Sequence, residues 1–157
     1  MKDQKGVSIK CSNMGDTLSL EYLVPAFPNV SNYFKDFIKH LTNNYGYKKS
    51  DTIFGAPYDF RKIGDIREMM EYFTNLRNFI ENIVKFKQSK VIFVSHSLGS
   101  VLVSHFLKNE SKKWKNIYID SWYSIAGAFG GSVQSVMCFL RGIPFFIPRF
   151  ISLNKIK

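Results

Sequence analysis

The segment KVIFVSHSLGSVLVSHFL, Lys90 to Leu107, constrains the fold of this chain more than any other. β-Branched and aromatic residues run to Val94 and stop at Ser95-His96-Ser97-Leu98-Gly99. An apolar stretch with helical spacing follows at once. That change of period predicts a strand, a sharp turn and a helix in immediate succession. Where strand and helix meet so abruptly, bulky side chains two places either side of the turn residue would block their approach. Here those places hold Ser95 and Gly99, both small. The turn would expose the Ser97 hydroxyl at the carboxyl end of the sheet. It would also aim the Leu98 N–H and the helix N-terminus at a developing oxyanion. An ordinary serine-rich turn is the competing reading, and the flanking strand and helix favour a nucleophile over it.

The rest of the chain alternates. VSIK (Val7 to Lys10) and LSLEYLV (Leu18 to Val24) read as strands with a turn at Asn13 to Asp16. Asn29-Val30-Ser31 opens a predicted helix that closes near Asn43 to Gly46, and DTIFGAPYDF reads as a short strand running into Pro57. Asp65 can cap a long helix whose stripe is Ile66, Met69, Met70, Phe73, Leu76, Ile80, Ile83 and Val84. The stripe is core rather than a cofactor surface. IYIDSWYSIAG is a further strand. This βαβ spacing argues an α/β fold with a mostly parallel sheet and helices on both faces.

Composition narrows the function classes. The 157 residues fit one domain, and 45% hydrophobic with 16% aromatic content excludes a disordered chain. The net charge of +10 is dispersed; its densest clusters, Lys48-Lys49 and Lys112-Lys113 with Lys115, sit beside predicted turns and read as solvated edges, with weak attraction to anionic membranes as the second reading. No nucleic-acid module accompanies them. Cys11 and Cys138 match no metal or redox spacing and read as buried free thiols, so no metal and no cofactor are expected. MKDQKGVSIK lacks the apolar core of a secretory signal, and no apolar run reaches the length of a membrane span. GIPFFIPRFI is short and broken by Pro144 and Pro148; it reads as an interfacial loop or a segment that packs on something else.

Several ordered motifs then share one resemblance. GAPYDFR (Gly55 to Arg61) resembles the APYDWR signature of the lecithin:cholesterol acyltransferase family, with Phe60 in place of tryptophan. In that family the signature precedes a long helix, a hydrophobic strand and a GHSLG elbow, and Ser95 stands here at the first glycine. WKNIYIDSWYSIAGAFGGS resembles a further family segment that ends in A-P-W-G-G-S, and GVSIKCSNMGDTLSLEYL resembles its early strand pair. The resemblance covers about residues 6–144.

It implies an α/β-hydrolase fold, one partial domain over 1–157, with Ser97 as nucleophile and the Leu98 N–H in the oxyanion hole. Ser95 and Gly99 would shape the elbow, and Asp59 and Arg61 would be a structural pair holding their loop. A phospholipid acyl chain would pass to Ser97 and on to an alcohol such as a sterol, or to water, at a membrane or lipoprotein surface. Relatives place a second oxyanion donor and a lid upstream, and the catalytic acid and histidine downstream, so a truncated form with an exposed sheet edge and uncovered apolar surface is expected. The local histidines do not replace that base. His96 lies inside the elbow pointing away, His105 sits two helical turns on, and His40 belongs to the first helix. Asp120, ahead of its strand, belongs at the opposite sheet end. The alternative function is a catalytically inactive lipid- or partner-binding remnant of the same fold. Location stays open, with relatives often secreted or in acidic organelles.

Overall fold

Val91–His96 forms strand β1 and Leu98–Asn109 forms helix α4, so a single residue, Ser97, separates them. This belongs to a computed structural model that describes Lys5, Gly6 and residues 11–141. The chain divides into two units between Ser89 and Lys90.

In the second unit the path continues through α5 (Lys112–Tyr118) into β2 (Ile119–Ile125). The helical crossover returns the chain in the same direction, and β1 and β2 pair in parallel from Ile92↔Ser121 to His96↔Ile125, with an irregularity between Val91 and Ile92. Mixed helix and parallel strand place the described residues in the α/β class. Leu102, Phe106 and Trp114 are buried. Phe106 bridges the layers, edge-on to Phe93 of β1 at 6.2 Å and to Trp114 of α5 at 5.6 Å between ring centres. Burying each such side chain stabilises the unit by roughly 1.5–3 kcal/mol. Ser111 caps α5 by accepting the Trp114 N–H at 3.1 Å. Ile92 and Val94 of β1 and Tyr123 and Ile125 of β2 expose apolar surface, as does α6 (Val133–Arg141) at Val133 and Phe139. The GIPFFIPRFI segment lies outside the described residues.

The first unit departs from several expectations. LSLEYLV does not form a strand: Leu18–Glu21 is one helical turn, α1. Its local polar groups favour the turn. Asp16 accepts the Leu18 N–H at 3.0 Å, and the Thr17 hydroxyl donates to the buried Glu21 carboxylate at 2.6 Å. Lys49 completes that carboxylate with contacts of 2.6 and 2.7 Å, so this lysine is not simply a solvated edge charge. The companion VSIK segment lies outside the described residues.

Helix α2 spans Lys35–Tyr45 and starts later than Ser31, because the Ser31 hydroxyl closes the preceding loop instead. It hydrogen-bonds the Val24 and Phe27 carbonyls at 2.7 and 2.8 Å. Gly46 at φ 71° ends α2. DTIFGAPYDF makes isolated bridges rather than a strand, Lys49 with Ile53 and Gly55 with Gly15. Cys11 is exposed and Cys138 half-buried, so the expectation of two buried thiols fails.

The long helix α3 (Ile66–Lys87) begins where expected. Asp65 accepts the N–H groups of Arg67 and Glu68 at 3.0 and 3.3 Å, a cap worth about 1 kcal/mol. Leu76 and Ile80 are its buried residues, while Ile66 and Met70 at its start are exposed. The core stripe is thus narrower than its sequence period. Ile38 of α2 is also buried, and Phe54 meets Phe79 edge-on at 5.6 Å.

Candidate functional site

Ser97 holds φ 50° and ψ −120°, outside both helix and strand regions. A non-glycine residue there stores backbone strain of about 1–3 kcal/mol. Two other helix caps show the contrast. Ser111 and Asp65 keep extended backbone and hydrogen-bond their own first turns. Ser97 makes no such side-chain cap, so helix capping does not account for a serine at this position.

The strain persists because both polar groups of the Ser97 backbone are held. Its N–H donates to the Ile125 carbonyl at 3.0 Å, extending the parallel ladder past His96. Its carbonyl accepts from the Ser100 N–H at 3.0 Å and the Ala128 N–H at 3.3 Å. The Leu98 and Gly99 N–H groups open α4, where helix geometry offers them no carbonyl of the preceding turn. Together with the helix dipole they form a positive end suited to a developing negative charge.

Ser95, Ser97, Leu98 and Gly99 share this one turn. Ser95 is buried, and its hydroxyl accepts the Trp122 indole N–H at 2.8 Å. It also shares a hydrogen bond with the fully buried Ser100 hydroxyl at 3.0 Å. A serine therefore occupies the crowded place without leaving a polar atom unmatched.

After β2, Ala126 takes a positive φ of 46° and Gly131 one of 94°. Between them Phe129 folds back and meets Trp122 edge-on at 6.0 Å. Gly127 makes that fold possible, since a Cβ there would lie 2.4 Å from the Phe129 ring and 2.5 Å from the Ser124 hydroxyl.

His96 ends β1, paired with Ile125, and alternation puts it on the face opposite Ser95. His105 lies in α4, and His40 in α2, where it hydrogen-bonds Asn44 at 2.8 Å. Asp120 is the second residue of β2 rather than a residue ahead of it, at the end of the pair away from Ser97.

Asp59 and Arg61 share a different turn, in the first unit. The Arg61 guanidinium donates to both carboxylate oxygens at 2.9 and 2.5 Å, and its backbone N–H donates to Oδ1 at 3.0 Å. The Arg61 side-chain hydrogen bond holds the Asp59 carboxyl below its usual pKa. Because the folded value is the lower one, this stabilisation is complete above the usual carboxylate range, about pH 4. It is lost as pH falls through the folded value. Asp59→Asn is therefore expected to lower stability at neutral pH and to flatten its fall below about pH 4. Denaturant titrations across that range check it; an unchanged slope would rule it out. Beside this turn, Tyr72 donates to the Ala56 carbonyl at 2.9 Å, and burial raises its phenol pKa.

Sequence reasoning singled out neither Ser100 nor Trp122. The available signal was register: once Ser95 is set opposite Ser124, Trp122 falls two residues earlier on the same face of β2.

A family model described as lecithin:cholesterol acyltransferase matches residues 1–157. The mouse (Mus musculus) lysosomal phospholipase A and acyltransferase is 32% identical over 137 residues, 87% of this chain and 32% of that protein. The chicken (Gallus gallus) phosphatidylcholine-sterol acyltransferase is 34% identical over 142 residues, 90% of this chain and 33% of that protein. The lecithin-cholesterol acyltransferase-like 1 protein of Arabidopsis thaliana is 32% identical over 149 residues, 91% of this chain and 34% of that protein. The chain spans about a third of the length of these curated relatives. With the match extending over its whole length, the chain belongs to the lecithin:cholesterol acyltransferase family.

Proposed function

We propose that this chain is the nucleophile-bearing part of a serine-dependent lipid O-acyltransferase or phospholipase with an α/β-hydrolase fold, forming one partial domain. The observation that carries the reading is the backbone of Ser97, strained, uncapped and set between a parallel strand and a helix N-terminus. Names of the relatives point to a phospholipid donor and to a sterol as one acceptor; another alcohol or water is the further acceptor of this reading.

The chemistry follows from the placement. Ser97 Oγ attacks the acyl carbonyl of the phospholipid, and the charge that develops on its oxygen faces the Leu98 N–H. Collapse breaks the ester C–O bond; the lysophospholipid leaves with the proton taken from Ser97, and the acyl group stays on Oγ. An alcohol or water then attacks the acyl-serine, giving a new ester or a fatty acid and restoring the hydroxyl. The proton transfers need a base. His96 and His105 are placed poorly for it, so an imidazole with its carboxylate partner would come from outside the described residues.

Treating the whole protein with a fluorophosphonate tests this reading. Ser97 Oγ would displace fluoride, and peptide mass mapping is expected to find one adduct, on Ser97. An adduct elsewhere, or none, would overturn it; none would leave a non-catalytic lipid- or partner-binding domain.

A further inference from the structure

The elbow carries a buried polar chain that the nucleophile reading does not use. Trp122 Nε1 is donor only, so the Ser95 hydroxyl accepts its proton at 2.8 Å. Ser95 and Ser100 then share a second bond at 3.0 Å. The Ser100 N–H closes the chain on the Ser97 carbonyl at 3.0 Å. In order, the links join β2, β1, the first turn of α4 and the elbow residue itself. Ser100 is fully buried and Ser95 is 7% exposed, so neither hydroxyl can fall back on water if the chain is broken. Gly99 next to Ser100 lacks a side chain to wedge the turn.

We propose that Trp122, Ser95 and Ser100 are positioning residues that fix the rotation of the first turn of α4, and with it the Leu98 N–H, relative to the end of β1. The proposal rests on the reading of Ser97 as nucleophile. With an apolar or glycine contact at Ser95 only backbone bonds would hold that turn; the hydroxyl pair adds a side-chain tie from α4 to both strands. The network touches no substrate atom and acts through the oxyanion donor. It therefore affects the bond-making step and not the binding of the acyl chain.

The test is the rate at which a fluorophosphonate inactivates the whole protein, separated into kinact and KI. Trp122→Phe keeps an aromatic ring facing Phe129 and removes the donor together with the fused five-membered ring. It is expected to lower kinact about tenfold with KI unchanged, the scale of one buried hydrogen bond lost. Ser95→Ala should do the same, and the double variant should be no slower than either single one, because all three break one chain. If Ser95→Ala unfolds, Ser100→Ala breaks the same link from the helix side. Labelled wild type with unchanged kinact in Trp122→Phe overturns the positioning role alone, as does additive loss in the double variant or an effect confined to KI. A wild type that takes no label at Ser97 overturns the nucleophile reading and this proposal with it.

Discussion

Ser97→Gly in the whole protein is expected to abolish the proposed acyl transfer and to stabilise the second unit at the same time. Losing the hydroxyl removes the only atom proposed to carry the acyl group, and nucleophile deletions in such assemblies cost about 10^4-fold or more in turnover. The backbone responds oppositely. Glycine reaches φ 50°, ψ −120° without the Cβ clash that serine bears there. Relief of about 1–3 kcal/mol of strain, less about 0.5–1 kcal/mol for glycine's freer unfolded chain, leaves a gain of about 1 kcal/mol. Ser97→Ala keeps the Cβ and should lose activity without the gain. Release of fatty acid or ester from phosphatidylcholine vesicles, alongside denaturant unfolding, measures both. A glycine variant less stable than the alanine one would show that the elbow is not strained.

The second large effect lies in the first unit. Gly15 and Gly55 exchange two backbone hydrogen bonds, 2.7 and 3.2 Å, bringing two loops into direct contact. A Cβ on Gly55 would lie 2.0 Å from the Asp16 carbonyl oxygen and 2.8 Å from its carbon. Those are backbone atoms and cannot rotate aside, so Gly55→Ala must separate the loops. Asp16 also accepts the Leu18 N–H at the start of α1, and the loss should spread to that turn. We expect a cost of about 3 kcal/mol or more, a fall in Tm of roughly 10–20 °C. Gly64→Ala is the control, because nothing lies within 4 Å of a Cβ there, and it should change stability by less than about 0.5 kcal/mol. Equal effects of the two substitutions would contradict the packing argument.

What could be read from the sequence depended on whether the deciding contacts were local. β1, the turn at Ser97 and α4 were legible because a period-two apolar run changes to helical spacing within a few residues, and Asp65 announced α3 in the same way. LSLEYLV misled because its alternation is only a few residues long, and the side chains of Asp16, Thr17 and Glu21 close a helical turn that alternation ignores. Ser31 looked like a helix opener, yet its hydroxyl serves the loop behind it. At the elbow, the smallness of Ser95 was legible and its hydrogen bonds were not. Its partner Trp122 arrives through strand register, after two helices have intervened.

The hydrogen bonds from Ser97 N–H to Ile125 and from Ala128 N–H to Ser97 make the elbow and the loop after β2 one mechanical part, although they are far apart along the chain. This sets where descendants of such a chain can vary in length. The crossover between α4 and α5 turns at the exposed Ser111 and touches neither bond, so residues can be added there while the elbow keeps its form. One residue added between Ile125 and Ala128 would offer Ser97 the wrong carbonyl or the wrong N–H. The serine signature and the glycine-rich signature that follows β2 must therefore be inherited as a pair, with the spacing of the second as constrained as its composition.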